Sequence, residues 1–282
     1  METAKQKVLV IGGSSFLGYN FLQKAGGEYQ LWATYNNHQI ELPGVEAFKL
    51  DIRNLAATKE AVLKINPDVI ILYSAVSSSN NSNNYEELNV DGTKNVVEAC
   101  KEVGTKLIFL STDYVFDGKN GPYTESDPRN PVQEYGQTKE TAEKLVSELD
   151  KYAIVRTCLV YGSPKDSQHG NFVTNLVSTI QDSHTFFACT DMYRTPTYIE
   201  DVSAAVIKII DNYRGGFFHV SSSEYVSINQ FAEEVCEIFN LDKSYLKPVL
   251  ADETESEKDK PRRAGLNPGF AENLLEIKFN ST

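Results

Sequence analysis

The sequence predicts an α/β fold, a Rossmann-type doubly wound parallel sheet followed by a small C-terminal lobe. Three observations support this class. Short β-branched and apolar runs alternate with longer amphipathic stretches through the first half of the chain. A glycine-rich turn directly follows the first of these runs. After about Gly162, repeated prolines interrupt the rhythm, which is typical of a smaller and less regular lobe.

The alternating segments give the order of the elements. Apolar runs predict strands, and apolar residues at three- and four-residue spacing predict helices. The predicted strands are Lys7 to Ile11, Gln30 to Tyr35, Glu46 to Leu50, Val69 to Leu72, Lys106 to Ser111 and Ala153 to Thr157. Four helices are predicted. The first starts at about Phe16, and the other three extend over Leu55 to Lys64, Tyr85 to Val103 and Tyr135 to Leu149.

A boundary between two parts of the chain is expected at Gly162. Residues 1–162 are predicted to form the main domain, with strand and helix returns from later segments, and residues 163–282 mainly the smaller lobe. A chain of 282 residues that is 41% hydrophobic can bury one large core, or one large and one small core. Either number of cores is compatible with a boundary at Gly162.

Charge and composition narrow the classes of partner. The formal net charge is −12 and the 27 Lys and Arg are scattered, so the chain is expected to bind neither nucleic acid nor a membrane surface. The N-terminal apolar run is too short for a signal peptide or a membrane span, and the four cysteines have no paired spacing, which predicts a cytoplasmic protein with reduced thiols. The four histidines lack ligand spacing, so no metal site is predicted.

The turn GGSSFLG after the first strand is the first candidate binding site. Gly12, Gly13 and Gly18 lie where a strand passes into a helix. Such a turn uses glycine for close approach, so that free amides and the helix dipole receive a pyrophosphate. Ser15 stands where the dinucleotide fingerprint usually has its middle glycine, and its Cβ is expected to narrow the approach to the phosphates.

Two further positions fit a bound dinucleotide. Asp51 ends the third strand and could accept from an adenine amino group, although aspartate is also a common turn former. Ala75 follows the fourth strand, where a small side chain lets a cofactor pass. The polar segment Ser77 to Asn84 comes next, at the edge where open sheets bind ligands; a solvated loop is an equally good interpretation.

The end of the second strand bears on the choice between NAD and NADP. Enzymes that select NAD usually place Asp or Glu there, which bonds the ribose hydroxyls and repels a 2′-phosphate. Here Asn36 and Asn37 follow the strand, and no carboxylate occurs before Glu41. No Lys or Arg lies between Lys24 and Lys49 to select NADP. We therefore expect weak discrimination between the two cofactors, with NADPH slightly preferred.

Tyr135 and Lys139 form the candidate catalytic pair. They are four residues apart near the start of a predicted helix and so share one face. A tyrosine whose pKa of about 10 is lowered by a nearby cation can donate a proton to a developing alkoxide. The same spacing recurs at Tyr161 and Lys165, but the intervening Gly162 and Pro164 argue against a helix there. Context therefore selects Tyr135.

Thr112 is the third candidate catalytic residue. It directly follows the apolar fifth strand KLIFLS and projects at the carboxyl edge of the sheet, where its hydroxyl could orient a substrate carbonyl. The alternative is a threonine that caps a turn or a helix.

The segment STDYVFDGKNGPYTESDPRNPVQEYGQTKETAE resembles the signature of the dTDP-4-dehydrorhamnose reductase family within the extended short-chain dehydrogenases. Further matches are NVDGTKNVVEAC, PDVII, RTCLVYG, GNFV, DMYRTPTYIEDV and PRRAGLNP, so the resemblance covers nearly the whole chain. It implies an NAD(P)H-dependent oxidoreductase of a 4-keto deoxy-sugar nucleotide, serving dTDP-L-rhamnose biosynthesis, with the small lobe binding the substrate and a homodimer as a possible assembly.

The resemblance also assigns roles to residues. It implies catalysis by Thr112, Tyr135 and Lys139. Substrate contacts are expected at Thr112, Asp113, Asn171 and Arg194, and for Arg194 the alternative is a structural ion pair with Asp191 or Glu200. Together, the expected cofactor-binding residues are Gly12, Ser14, Ser15, Phe16, Leu17, Gly18, Asn36, Asp51, Ile52, Ser74, Ala75, Val76, Asn89, Tyr135 and Lys139.

Departures from the family pattern keep two alternatives open. Ser15, the YSAV turn, the Ser/Asn loop and Arg194 differ from what the reductases commonly carry. One alternative is a nucleotide-sugar epimerase or dehydratase, although Asp113 is followed by Tyr114 rather than the glutamate that dehydratases commonly have. The other is a dinucleotide-binding regulatory subunit without turnover, because the β subunit of methionine adenosyltransferase also resembles this sequence.

Overall fold

A seven-stranded sheet forms the centre of the fold. The computed structural model describes residues 5–75, 85–164, 170–212 and 215–281. The strand order is β11-β6-β5-β4-β1-β2-β3, and the pairings of β1 with β2 and β4, of β2 with β3 and of β4 with β5 are parallel. The order runs outward from β1 in both directions, as in a doubly wound sheet. The predicted fold class is confirmed.

Six strands of this sheet lie close to their predicted positions, and the seventh, β11, was not predicted. Each is a short apolar run, and β4 and β5 are buried along their whole length. The observed bounds are β1 Lys7–Ile11, β2 Gln30–Tyr35, β3 Val45–Lys49, β4 Val69–Leu72, β5 Lys106–Thr112, β6 Tyr152–Thr157 and β11 Gly216–Val220. The third strand is shifted by one residue from its predicted bounds, and the fifth extends one residue further to include Thr112.

Helices connect these strands, and one predicted helix is divided. The first four α-helices are α1 Phe16–Lys24, α2 Leu55–Ile65, α3 Thr93–Val103 and α4 Glu134–Val146. The single helix predicted from Tyr85 to Val103 is a π-helix over Glu86–Gly92 that continues as α3. A Cβ on Gly92 would lie 2.8 Å from the side chain of Ile52, so glycine allows the π-helix to pack closely there.

The chain divides into two compact units that interleave in sequence. The first unit contains residues 1–111, 134–156 and 203–218, and the second contains residues 112–133, 157–202 and 219–282. The first unit thus includes the late segment 203–218, and the second unit includes the early segment 112–133. The assignment of cofactor and substrate binding to separate domains stays a prediction.

A large apolar cluster lies in the first unit. Buried residues from β1, β4 and β5 pack against α2, α3 and α4, with Leu9, Ile70, Leu107, Val96 and Ala142 among them. None of the helices in the described part of the chain is long and apolar enough to cross a membrane. The core fixes the helices against the sheet and so determines where side chains at the carboxyl ends of the strands emerge.

The second unit contains short strands, the remaining helices and its own apolar clusters. One cluster joins α5, α7 and β8 around Leu176, Phe231 and Val235. The strands are β7 Val160–Tyr161, β8 Phe186–Cys189, β9 Tyr193–Arg194, β10 Thr197–Tyr198, β12 Val226–Ser227 and β13 Leu246–Val249. The helices are α5 Phe172–Gln181, α6 Ile199–Asp211, which continues into the first unit, α7 Ile228–Ile238 and α8 Gly269–Leu275.

Candidate active site

The glycine turn between β1 and α1 makes close contacts that only glycine allows. Gly12 has a φ of +85°, and a Cβ on it would lie 2.7 Å from the backbone nitrogen of Ser74. A Cβ on Gly18 would collide with the carbonyl oxygen of Gly12. The first turn of α1 therefore packs directly on the end of β1. Its amides are placed where a helix N-terminus can receive phosphate, so these residues fit a dinucleotide.

Ser15 is the N-cap of α1. Its hydroxyl accepts a hydrogen bond from the Gly18 amide at 3.1 Å and donates to the Gly12 carbonyl at 2.7 Å. The side chain thus bonds back onto the turn. The expectation that Ser15 acts by narrowing the approach to phosphate took no account of this bonding, which gives serine a structural role at the position.

Removal of the Ser15 hydroxyl should therefore affect stability first. Ser15→Ala is expected to lower the free energy of unfolding by about 1 kcal/mol, because an N-cap bond is lost. Ser15→Gly is the matched variant and should lose only a few tenths of a kcal/mol. Urea denaturation of the three proteins checks this. Equal stability of wild type and Ser15→Ala would contradict a capping role.

Thr34 holds the turn from the neighbouring strand, which the sequence did not reveal. It is buried on β2, its hydroxyl accepts from the Gly12 amide at 3.2 Å, and its carbonyl accepts from the Gly13 amide at 2.8 Å. The strand ends at Tyr35 as predicted, and Asn36 follows it exposed to solvent. A threonine near the end of a strand carries no distinctive signal, because its partner is 22 residues away.

The other expected cofactor residues lie at the ends of β3 and β4. The Asp51 carboxylate forms an ion pair with Arg53 at 2.6 Å, and this contact lowers the pKa of Asp51. An adenine amino group would therefore compete with Arg53 for this carboxylate. Ile52 is buried, and Ser74 contacts the turn through its backbone. Ala75 is exposed directly after this segment.

Several positions singled out in the sequence lie outside the described residues. These are Val76, the Ser/Asn loop from Ser77 to Asn84, Lys165 and His169.

Tyr135 and Lys139 lie one turn apart on α4, as predicted. The helix begins at Glu134, and its buried face includes Gly136, Thr138 and Lys139. The Tyr135 ring is partly exposed, and its centroid lies 5.9 Å from that of Tyr85. The pair therefore has the shared face that a tyrosine and its activating cation require.

Lys139 is a buried cation with a defined setting. The residue is 3% exposed, its Nζ donates to the Leu110 carbonyl at 2.6 Å, and Nζ lies 3.9 Å from the centroid of the Phe109 ring. Burial lowers the pKa of Lys139 to about 7, against an opposing effect of Glu143. A lysine in this state titrates near neutral pH, where catalytic groups commonly do.

Asn89 connects the π-helix to α4. Its amide nitrogen donates to the Thr138 hydroxyl at 3.2 Å, and that hydroxyl donates to the Tyr135 carbonyl at 2.9 Å. Asn89 is 1% exposed. The side chain therefore supports the backbone of the candidate catalytic helix between Tyr135 and Lys139, besides the cofactor role that the family resemblance implied.

A buried ionic cluster lies further along the same helix, and the sequence did not reveal it. Glu143 accepts from Arg156 through both oxygens, at 2.9 and 2.8 Å, and from the Ser111 hydroxyl at 2.6 Å. The guanidinium of Arg156 lies 4.5 Å from the centroid of the Phe217 ring. Arg156 was noted only within the RTCLVYG match, and no local pattern pairs it with Glu143.

Thr112 and Asp113 belong to the second unit. Thr112 is the last residue of β5; its hydroxyl donates to Asp113 at 3.1 Å and accepts from the Tyr114 amide at 3.3 Å. Thr112 thus caps the turn that follows β5, which was the alternative role considered for it. Asp113 is buried, and this burial raises its pKa against the opposing effects of Arg194, Cys158 and Thr112.

Arg194 has a different setting from the one expected. It is 3% exposed, and its guanidinium donates to the Tyr193 and Pro261 carbonyls at 2.8 Å each. Its Nε lies 3.5 Å from the Asp113 carboxylate. These contacts leave it poorly placed to bind a substrate phosphate, because carbonyls of its own unit take its donors. The ion pair is with Asp113 rather than with Asp191 or Glu200.

Asn171 is the N-cap of α5. Its side-chain oxygen accepts from the Val173 and Thr174 amides, and its nitrogen donates to the Gly162 carbonyl at 2.7 Å. A capping box with Thr174 completes the arrangement. Asn171 therefore fixes the start of α5, and a contact with a nucleotide-sugar stays a prediction.

No candidate metal site is present among the described residues, which contain no group of three or more His, Cys, Asp or Glu side chains that could hold an ion. The four cysteines are buried. Cys158 donates to the Asp113 carboxylate at 3.2 Å, and burial raises the pKa of its thiol, so the sulfur stays protonated in this contact.

Comparison with known sequences finds one family profile over nearly the whole chain and several characterised relatives. The profile of the RmlD substrate binding domain family matches residues 6–281. The chain is 34% identical over 196 residues to methionine adenosyltransferase 2 subunit beta of Bos taurus, a match that covers 67% of this chain and 58% of that protein. The chain thus matches less than two thirds of that relative's length. It is 29% identical over 214 residues to dTDP-4-dehydrorhamnose reductase of Streptomyces griseus, covering 72% and 69%.

The chain is also similar to solved structures over nearly its whole length. The crystal structure of dTDP-4-dehydrorhamnose reductase from Bacillus anthracis in complex with NADP matches with a TM-score of 0.85 at 26% identity. The match covers 99% of this chain and 96% of that chain.

Proposed function

Because the chain belongs to the RmlD substrate binding domain family, we propose that it is an NAD(P)H-dependent reductase of a 4-keto deoxy-sugar nucleotide, most specifically a dTDP-4-dehydrorhamnose reductase. One observation carries the proposal: the buried Lys139 lies one helical turn from Tyr135, in the same unit as the glycine turn. A relative in the family with NADP bound supports the cofactor.

The residues of the first unit would bind the cofactor. The turn from Gly12 to Gly18, Asn36 at the end of β2 and Ala75 would line its path, with Lys139 holding the ribose. When bound, the nicotinamide supplies a hydride to the carbonyl carbon of the sugar. The fit rests on the turn itself, where glycines leave room for close approach to phosphate at the N-terminus of α1.

Tyr135 would act as the general acid. As the carbonyl oxygen of the substrate gains negative charge, the Tyr135 Oη donates its proton to that oxygen and becomes a phenolate. The Lys139 ammonium stabilises the phenolate and so makes proton donation easier. Thr112 would orient the carbonyl, with its hydroxyl turning from Asp113 to the substrate oxygen. The product is the 4-hydroxy sugar nucleotide.

The proposal is tested by reaction of the purified protein. Oxidation of NADPH is followed spectroscopically with a panel of dTDP- and GDP-4-keto-6-deoxy sugars. Turnover with dTDP-4-dehydrorhamnose is expected. Turnover only with a GDP-sugar would keep the reaction class and change the substrate.

Location and assembly are separate parts of the proposal. We expect the active protein to be a homodimer in the cytoplasm.

A regulatory subunit without turnover is the second candidate. The identity of 34% with methionine adenosyltransferase 2 subunit beta favours it. In that case the protein would bind NADPH and reduce none of the keto sugars. An epimerase or dehydratase is less well supported, because Asp113 is engaged by Arg194 and Cys158 rather than free to act as an acid.

Cofactor choice gives a separate prediction. The end of β2 carries the exposed Asn36 and Asn37 and no carboxylate, so NADPH and NADH should bind within about tenfold of each other, or 1.4 kcal/mol, with NADPH slightly favoured. Fluorescence titration of both reduced cofactors at fixed salt measures this. Asn36→Asp is the matched variant and should shift the preference towards NADH. A preference of wild type for NADH above tenfold would contradict the prediction.

A further inference from the structure

Glu143 is a buried charged residue that has no role in the proposed reaction. Glu143 is fully buried on α4, and its two oxygens bond Arg156 on β6 and Ser111 on β5. A buried ion pair is often no more stabilising than an apolar pair of the same volume. Stability alone therefore does not explain a buried carboxylate one helical turn after Lys139.

The position of Glu143 ties it to Lys139. Tyr135, Lys139 and Glu143 follow one another at four-residue spacing on α4, so they form one line along the helix. The two buried members bond consecutive residues of the same strand: Lys139 donates to the Leu110 carbonyl, and Glu143 accepts from the Ser111 hydroxyl. The carboxylate and the ammonium are thus held against β5 at adjacent points.

Glu143 is also the charge that acts on Lys139. Burial lowers the pKa of Lys139 to about 7, and the Glu143 carboxylate raises it. The Leu110 carbonyl and the Phe109 ring of β5 also contact this ammonium, and Tyr135 lies one helical turn before Lys139 on α4.

Among the described residues, the buried charge next to Glu143 is that of Arg156 on β6, which pairs with both oxygens of Glu143 itself. The π-helix contributes the neutral Asn89, while its Glu86, Glu87 and Asp91 are exposed. On α3, Glu98 and Glu102 lie against Lys59 of α2. The carboxylate of Glu143 therefore provides the opposing charge within the core.

We propose that Glu143 is a positioning residue of the reductase reaction, fixed by Arg156 and Ser111 so that its carboxylate keeps the Lys139 ammonium charged, one helical turn from Tyr135. The inference rests on the proposed function for its consequence in turnover, but the interaction with Lys139 can be measured without turnover. The chemistry is electrostatic: no bond to Glu143 forms or breaks.

The test is the pH profile of Glu143→Gln. Lysine is charged below its pKa, so the charge of Lys139 is lost as the pH rises through about 7. Removal of the Glu143 charge lowers that pKa, and the alkaline limb of the kcat profile should move to lower pH by about one unit. Activity at pH 7.5 should fall several-fold and return largely at a pH below 6. A purely structural role would lower activity equally at every pH.

Two further variants keep the test decisive. Glu140→Gln is the matched control, because Glu140 lies on the same helix but pairs with Lys144 at 2.9 Å; its pH profile should match that of wild type. Ser111→Ala keeps the carboxylate and removes one bond that holds it. Should Glu143→Gln fail to fold, Ser111→Ala is expected to give the same direction of shift at smaller size.

A direct titration separates this inference from the proposed function. Nζ resonances of ¹⁵N-lysine-labelled full-length protein, with Lys139 assigned through Lys139→Met, report the pKa without any substrate. The expected order of the Lys139 midpoint is wild type above Ser111→Ala above Glu143→Gln. Equal midpoints in all three would overturn the inference even if the protein is an active reductase, and the expected order would uphold the Lys139 interaction even if no keto sugar is reduced.

Discussion

Tyr135→Phe is expected to fold and to bind NADPH normally but to lose at least about 100-fold in turnover, because the general acid is removed. Phenylalanine keeps the aromatic ring that lies near Tyr85, and the backbone of α4 stays supported through Thr138. The variant therefore changes the chemistry with little change in packing. Steady-state kcat with the best keto-sugar substrate, together with fluorescence titration of NADPH, measures the two effects separately.

Tyr161→Phe is the control for this experiment. Tyr161 has the same spacing to a lysine in the sequence, but its ring packs against those of Tyr198 and Phe231, at centroid distances of 5.7 and 5.4 Å. Its hydroxyl has no role in the proposed reaction, so turnover should stay close to that of wild type. A Tyr135→Phe protein that retains near-normal turnover would remove Tyr135 from the mechanism.

The sheet was predictable because its signals are local. The bounds of β1 and β4 follow from contiguous apolar runs, and β2 ends where the polar Asn36 and Asn37 begin. The placement of Tyr135 and Lys139 on one helical face follows from their four-residue spacing within a segment whose own pattern predicts a helix. These predictions need no knowledge of which segments meet in space.

The features that sequence reasoning missed depend on partners distant in sequence. Glu143 meets Ser111 and Arg156 across 32 and 13 residues, and no local pattern specifies such pairs. The capping role of Ser15 was available from the sequence, since serine is a favoured N-cap, but the comparison with a glycine fingerprint obscured it.

The contacts of Arg194 could not be predicted from the motif that contains it. An arginine within DMYRTPTY has the chemistry to grip phosphate, and sequence alone could not show that two carbonyls and Asp113 already occupy its donors. The contact with Pro261 spans 67 residues. The π-helix over Glu86–Gly92 is a similar case, because the sequence there reads as an ordinary amphipathic helix.

The contacts of Arg194 predict a large effect on stability. Arg194→Ala would leave the buried Asp113 carboxylate without its cation and would free the carbonyls of Tyr193 and Pro261 inside the unit. Breaking a buried ion pair by removing one partner typically costs about 3–5 kcal/mol. We expect a loss of this size in the free energy of unfolding from urea denaturation. The neighbouring Arg262→Ala is the control, since its pair with the exposed Asp252 should contribute at most about 1 kcal/mol.

The same variant distinguishes a structural role from substrate binding. If Arg194 acts through the fold, the Arg194→Ala protein that remains folded, measured at low temperature, should bind the nucleotide-sugar with nearly wild-type affinity. Calorimetric titration with dTDP, which carries the phosphates but no sugar to reduce, makes the comparison independent of turnover. A variant of near-normal stability that binds dTDP at least about tenfold more weakly would instead assign Arg194 to the substrate phosphates, because a direct charged hydrogen bond contributes about that much to affinity.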